Sequence, residues 1–302
     1  MSKSLNFIKF KRNKKKPLFS IITVTRNSEK HVEECIKSVL GQKYKNFEYI
    51  IIDGKSSDQT LKIIKKYQKK INIIKSEKDK GIYDAFNKGV NLSAGKFICI
   101  VNSDDILTNN ALYIINKYIK KKKFDFIFGS VKKHWGVLHG YNPKKITYSW
   151  GFYTSHSTGF FIKRSSAKKV GLYNIKYKYH ADYDYFYRMI VLKKMLDIAT
   201  KKNEIVGIFR RGGFSSKISY RKLNDMNDKL ALQKDLVVQN GLLNALCAKA
   251  RSVTEASENS SRLDFHAANA VEAVGRLIRK LYGDLKLTKK ESICHTVALC
   301  CE

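Results

Sequence analysis

Lys96 to Asp105 reads KFICIVNSDD. Its mostly apolar first half, ending at Val101, has the pattern of a buried strand in a parallel sheet. Asn102, Ser103, Asp104 and Asp105 follow at once. Two adjacent carboxylates at the carboxyl end of a core strand are costly to bury unless something positive pairs with them. That end of the strand is where open α/β sheets bind ligands. Hard divalent cations prefer carboxylate and phosphate oxygens, so a metal ion holding a diphosphate is the natural partner. The plainer alternative is an acidic cap on the next helix, a common use of Asp.

More polar groups stand at strand ends. Thr25, Arg26 and Asn27 close an earlier β-rich run, and Asp53 closes another. Asp53 alone is an ordinary turn residue. In a parallel sheet, however, all of these ends would meet at one rim.

The elements that must position them follow from the hydrophobic pattern. Leu18–Thr25, Phe47–Asp53, Ile71–Ser76, Lys96–Val101 and Phe124–Gly129 read as strands. Between them lie expected helices over 29–40, 59–67, 82–92 and 109–120, the first with Val32, Cys35, Ile36, Val39 and Leu40 on one face. Alternation with short connections demands a mostly parallel, Rossmann-like central sheet flanked by helices. No G-x-G-x-x-G follows the first strand, which disfavours a nicotinamide enzyme. Further on, 131–153 is aromatic and strand-like, and 159–164 and 204–210 read as strands. A helix is expected over 181–196 and a polar one over 220–239.

Length and composition bound the organisation. The chain has 302 residues, 43% hydrophobic and 12% aromatic, enough for a substantial core. Three segments are expected: a basic arm over 1–16, a catalytic domain over 17–240, and a helical appendage over 241–302 of unassigned role. The last holds nine Lys+Arg against seven Asp+Glu, while the first 240 residues carry +31 of the net +33. Such a surface attracts polyanions or anionic lipid. No apolar run approaches the roughly 20 residues of a membrane span, and the N-terminus lacks a secretory signal pattern. The chain is read as cytoplasmic, with peripheral attachment to the inner membrane face as an option. Cys35 and Cys99 fall on apolar faces as small core residues.

The ordered motifs SIITVTRN, YIIIDGKSSDQT, DKGIYDAFNKG and GKFICIVNSDD resemble glycosyltransferase family 2, and the match continues through SHSTGFFIKR, ADYDYFYRM and RGGFSS. The resemblance covers roughly residues 18 to 235 and looks most like the subgroup that builds bacterial surface polysaccharides. It implies a GT-A fold and an inverting transfer from a nucleotide diphosphate sugar, UDP-linked by preference, to a glycan or lipid-linked acceptor. It also implies a Mg²⁺ or Mn²⁺ cofactor.

By position in these motifs, Thr25 and Asn27 would line the nucleotide pocket and Asp53 would accept the uracil imide N–H. Lys80 would face the donor, Asp104 would sit near the ribose or sugar, and Asp105 would bind the metal. Asp182 matches the catalytic base, with Asp184 as its rival and a helix cap as the structural alternative. His156 would lie on the acceptor side or be a buried structural histidine. Two departures stand out: Phe86 where many members carry Arg, and Ala181 where Glu usually precedes the base.

Two other classes compete. A non-catalytic basic protein on the same fold would bind nucleic acid in a salt-sensitive way, yet no recognition module for a specific nucleic acid is present. A sugar-phosphate nucleotidyltransferase would want a glycine-rich basic loop after the first strand, and Thr25-Arg26-Asn27-Ser28 is not one.

Overall fold

The computed structural model describes residues 8–10, 16–140, 157–178 and 181–210. The expected helices over 220–239 and in the 241–302 segment lie outside the described residues, as do His156 and RGGFSS.

The framework is the expected alternation. Strand β2 (Phe19–Thr25) is buried at all seven positions and is the axis of the sheet. It pairs in parallel with β3 (Phe47–Asp53) on one side and β5 (Phe97–Asn102) on the other. Strand β4 (Ile73–Ser76) continues the parallel set beyond β3. These strands read as nearly continuous apolar runs because helices cover both faces, so neither face can afford polar side chains. Helices α1 (Val32–Leu40), α2 (Thr60–Lys66), α3 (Ile82–Leu92) and α4 (Ala111–Lys121) fill the connections. Val32, Cys35, Ile36 and Val39 of α1 are buried as their spacing required. Each such aliphatic side chain contributes about 1.5–3 kcal/mol when fully buried. Helix α3 lies close enough on β2 that a Cβ at Gly89 would sit 2.4 Å from Ile22 Cγ2, so this position must be glycine. Cys35 and Cys99 are free and buried, and burial pushes the Cys35 thiol up to about 12, which makes it inert.

The sheet then changes character. Strand β10 (Phe160–Lys163) runs antiparallel between β5 and β7 (Phe126–Phe128). A second sheet holds β6 (Ile106–Leu107), β12 (Ile205–Ile208), β8 (Ser130–Lys133) and β9 (Gly136–Leu138), in that order. Strand β6 begins immediately after Asp105, so this sheet extends directly from the acidic pair. Helix α5 (Arg164–Val170) follows β10.

Two elements differ from the sequence reading. The first is in the basic N-terminal segment, where β1 (Ile8–Phe10) adds an antiparallel edge strand against Ile73–Lys75. The second is the helix expected over 181–196, which stops early. Helix α6 (Ala181–Tyr187) passes into a π-turn over Arg188–Leu192, and Asp197–Ala199 forms β11, parallel to β7. Local helix preference yields there to tertiary pairing. Leu196 N donates to Asp125 Oδ2 (3.0 Å), and Leu196 O accepts from Asp125 N (2.7 Å). No helix among the described residues is long and apolar enough to cross a membrane.

Candidate active site

The strand register brings the singled-out residues to one edge. Thr25 pairs with Asp53, Asp53 with Ser76, and Val24 with Asn102, so the carboxyl ends of β2, β3, β4 and β5 share one rim.

On the β2–β3 side the polar groups are knitted together. Asp53 is fully buried and accepts from Ser56 N (3.1 Å), Ser56 Oγ (2.5 Å) and Ser76 Oγ (2.6 Å). It therefore holds the Gly54–Ser57 turn in place. Asn27 stands in the left-handed region at φ 50°, which Asn tolerates better than most residues. Its backbone N–H donates to Ser56 Oγ (2.9 Å), and its Oδ1 accepts from Ser57 N (2.9 Å). Asp58, just before α2, accepts from Thr60 N (3.0 Å) and Glu29 N (3.1 Å). Against this network, Thr25 Oγ1 and Asn102 Oδ1 are buried with no hydrogen-bond partner among the described residues. Two orphaned acceptors at one rim are what a pocket awaiting a polar ligand presents.

Lys80 is exposed in the loop before α3. Helix α3 grips that loop: Lys80 N donates to Asp84 Oδ2 (3.0 Å), and Lys88 Nζ donates to Lys78 O (3.0 Å) while pairing with Glu77 and Asp84. Phe86, at the position where Arg was anticipated, is 5% exposed and packs edge-on against Tyr83 and Tyr173. It serves the core, leaving Lys80 as the exposed cation of this loop among the sequence-derived site residues.

The acidic pair is asymmetric. Asp104 is half-buried, whereas Asp105 is 1% exposed and accepts from Thr158 Oγ1 (2.6 Å). Burial, with the Asp104 charge beside it, pushes the Asp105 carboxyl up to about 7, against the pull of Thr158 and the Arg210 backbone N–H. Among the described residues no cluster of three or more His, Cys, Asp or Glu forms a closed metal cage. The pair offers hard carboxylate oxygen donors. This fits a Mg²⁺- or Mn²⁺-type ion that takes its remaining ligands from phosphate oxygens and water.

Helix α6 is tied to the start of α3, the helix that follows β4. Asp182 Oδ1 accepts from Tyr83 Oη (3.2 Å), at the start of α3, and from Tyr183 N (2.9 Å). The rival Asp184 is committed elsewhere: its Oδ2 takes Arg188 Nε (3.0 Å) and Nη2 (2.8 Å). Arg188 also donates to Val170 O (2.6 Å) and Leu172 O (2.8 Å). Asp184 therefore belongs to a structural clamp, and Asp182 is the carboxylate of α6 that meets α3.

Four residues that the sequence reading passed over join the site. Thr158 holds Asp105, and Ser157 Oγ accepts from Asn102 Nδ2 (3.0 Å). Both lie in SHSTGFFIKR, beside the His156 that drew attention there. Tyr83 sits inside DKGIYDAFNKG. Lys133, at the end of β8, is half-buried between Phe209 (4.6 Å from Nζ to ring centre) and Trp135 (5.8 Å). Burial pulls its ammonium down while Asp105 pulls it up. Nothing in the spacing around Lys133 marks it, because it reaches the site through the second sheet.

Residues 20–181 match the family model described as Glycosyl transferase family 2. An uncharacterised glycosyltransferase of Methanocaldococcus jannaschii is 31% identical over 223 residues, covering 69% of this chain and 77% of that protein. A PGL/p-HBAD biosynthesis glycosyltransferase of Mycobacterium bovis is 28% identical over 207 residues, covering 64% and 79%. Among solved structures, S. aureus TarS 1–349 in complex with UDP-GlcNAc is similar at TM-score 0.57 and 18% identity, covering 93% of this chain and 79% of that one. The mannosyltransferase PcManGT from Pyrobaculum calidifontis, in complex with GDP-Man and Mn²⁺, is similar at TM-score 0.52 and 13% identity, covering 95% and 85%. These likenesses are of fold: the architecture is GT-A.

Proposed function

The chain belongs to glycosyltransferase family 2, and on that premise we propose that it inverts the anomeric carbon of a UDP-linked sugar as it transfers it. The acceptor is a glycan or lipid-linked glycan of surface polysaccharide synthesis. The observation that carries this reading is the shared rim. Orphaned acceptors on Thr25 and Asn102 and the acidic pair Asp104–Asp105 come to it, and the carboxylate of Asp182, tethered to Tyr83 at the start of α3, supports the same reading.

The residues divide the work as follows. Thr25, Asn27 and the turn held by Asp53 form the floor for the nucleotide. Asp53 would accept the uracil imide N–H at the acceptor site left on Oδ1, while its three existing hydrogen bonds hold the turn. Lys80 faces the diphosphate and Asp104 the ribose or sugar. Asp104 and Asp105 would hold a divalent cation, which when bound neutralises charge on the departing nucleotide diphosphate. Asp182 removes the acceptor hydroxyl proton as that oxygen attacks. The new C1–O bond forms opposite the bond to phosphate, which breaks with its electron pair leaving on the nucleotide diphosphate. His156 stays an acceptor-side proposal outside the described residues.

Around this core, residues 17–240 form the catalytic domain in our reading and 241–302 an appendage. The basic segment Lys9–Lys16 would help dock the enzyme on the cytoplasmic leaflet, each charge contributing about 1 kcal/mol near an anionic surface. Equal sedimentation with neutral and anionic vesicles would remove that part.

The test is donor turnover over a panel of UDP-, GDP- and dTDP-sugars with and without Mn²⁺, with the product anomer read by NMR. The expected result is metal-dependent turnover of a UDP-sugar with inversion. Retention of configuration, or tight salt-sensitive nucleic-acid binding with no turnover of any donor, would overturn the proposal.

A further inference from the structure

We propose that Tyr83 is a positioning residue for Asp182, coupling the orientation of the base to the helix that holds the donor loop. This rests on the reading of Asp182 as base. The hydroxyl of Tyr83 reaches Asp182 Oδ1 across 99 residues of sequence, and the phenol that carries it is fixed on several sides. Tyr83 is 7% exposed. Its ring stacks on Tyr173 (5.9 Å, 22°) and meets Phe86 edge-on (5.5 Å, 82°). Tyr173 stacks in turn on Tyr185 of α6 (4.2 Å, 15°). One turn along α3, Asn87 exchanges two hydrogen bonds with the Tyr173 backbone (2.9 and 2.8 Å). A ring held this way delivers its hydroxyl to one place at little further entropic cost.

Asp182 needs such a support because α6 is only seven residues long and the chain leaves it through a π-turn. The same α3 that presents Tyr83 also fixes the loop carrying Lys80, through Asp84 and Lys88. The motif DKGIYDAFNKG thus acts as one bracket. Its first residues shape the donor loop, Tyr83 aims the base, and Asn87 ties in the segment before α6.

The test uses the full chain and the donor turned over fastest in the panel above, with water as acceptor. Tyr83→Phe removes the hydroxyl and keeps the ring stack. We expect kcat to fall about tenfold, as misaligned catalytic groups do, with the donor KM within twofold of the parent. In an Asp182→Asn background the same change is expected to cost nothing further, because Tyr83 acts through Asp182. UDP titration gives the fraction of competent sites in every variant, so partial unfolding cannot imitate the effect. Three results would overturn the inference: an unchanged kcat in Tyr83→Phe, a rise in KM with kcat preserved, or the same fold loss with and without Asp182. Near-parent turnover in Asp182→Asn alone would instead remove the base assignment itself.

Discussion

The proposed site has two sides built on different terms. On the β2–β3 side, Asp53, Asn27, Ser56, Asp58 and Glu29 form hydrogen bonds across two loops, so the floor we propose for the nucleotide is built by the chain itself. On the α6 side, Asp182 depends on a tyrosine from a different element. Between them, Thr25 Oγ1 on β2 and Asn102 Oδ1 on β5 are buried with no hydrogen-bond partner among the described residues. A preorganised floor costs nothing to assemble when the donor binds. In our reading, a base that leans on a side chain from another element is more easily misplaced. Damage to the first side should therefore appear in donor binding and stability, and damage to the second in turnover.

The acidic pair should give the largest effects. Asp104→Ala and Asp105→Ala are each expected to lower turnover by about a thousandfold or more, the scale of losing a main electrostatic stabiliser of the leaving group. They should part in thermal melting. Asp104→Ala leaves the fold intact, while Asp105→Ala strands the buried Thr158 hydroxyl and costs about 1–3 kcal/mol.

Ser56→Ala comes next. It takes a donor from buried Asp53 and an acceptor from Asn27 N, so it should destabilise by about 1–3 kcal/mol and weaken UDP binding about tenfold, with kcat for bound donor little changed. A loss confined to kcat would erase the distinction between the two sides.

Asn87→Ala breaks both bonds to the Tyr173 backbone. It should cost about 1–3 kcal/mol in melting and lower kcat more than it raises the donor KM.

The smallest effect concerns Glu77. Its hydrogen bond from Lys75, with Lys88 adding, holds its carboxyl below the usual range despite partial burial. A depressed folded pKa contributes stability that is present above the unfolded value and lost as pH falls through the folded one. Glu77→Gln should therefore melt slightly below the parent at pH 7, by no more than about 1 kcal/mol. That gap should close as the pH falls below the ordinary glutamate value of about 4.3.

How much of this could be read beforehand follows the same division. β2, β3 and β5 are buried on both faces over six or seven residues, so hydrophobic pattern alone locates them and the rim at their ends. Asp104, Asp105, Thr25 and Asp53 were visible for the same reason. The second half uses strands of two to four residues, such as β7 and β11, which are too short to show a period. Its logic is tertiary. Arg188 clamps Asp184 and two carbonyls, and Asp125 captures Leu196, so a helix expected to run to 196 gives way. Tyr83 and Thr158 lie within motifs that were noticed, yet their partners Asp182 and Asp105 are 99 and 53 residues away. Lys133 carries no local mark at all. Motif order carried the family, while the partner of each polar group came from the packing.

The account stands most directly on separating binding from turnover at Asp182. UDP affinity in Mn²⁺ and donor turnover would be measured side by side for the parent, Asp182→Asn and Asp104→Ala. We expect Asp182→Asn to bind UDP within about twofold of the parent while turnover falls by orders of magnitude, and Asp104→Ala to lose both. Turnover near the parent level in Asp182→Asn, or a loss of UDP affinity there to match Asp104→Ala, would contradict the account.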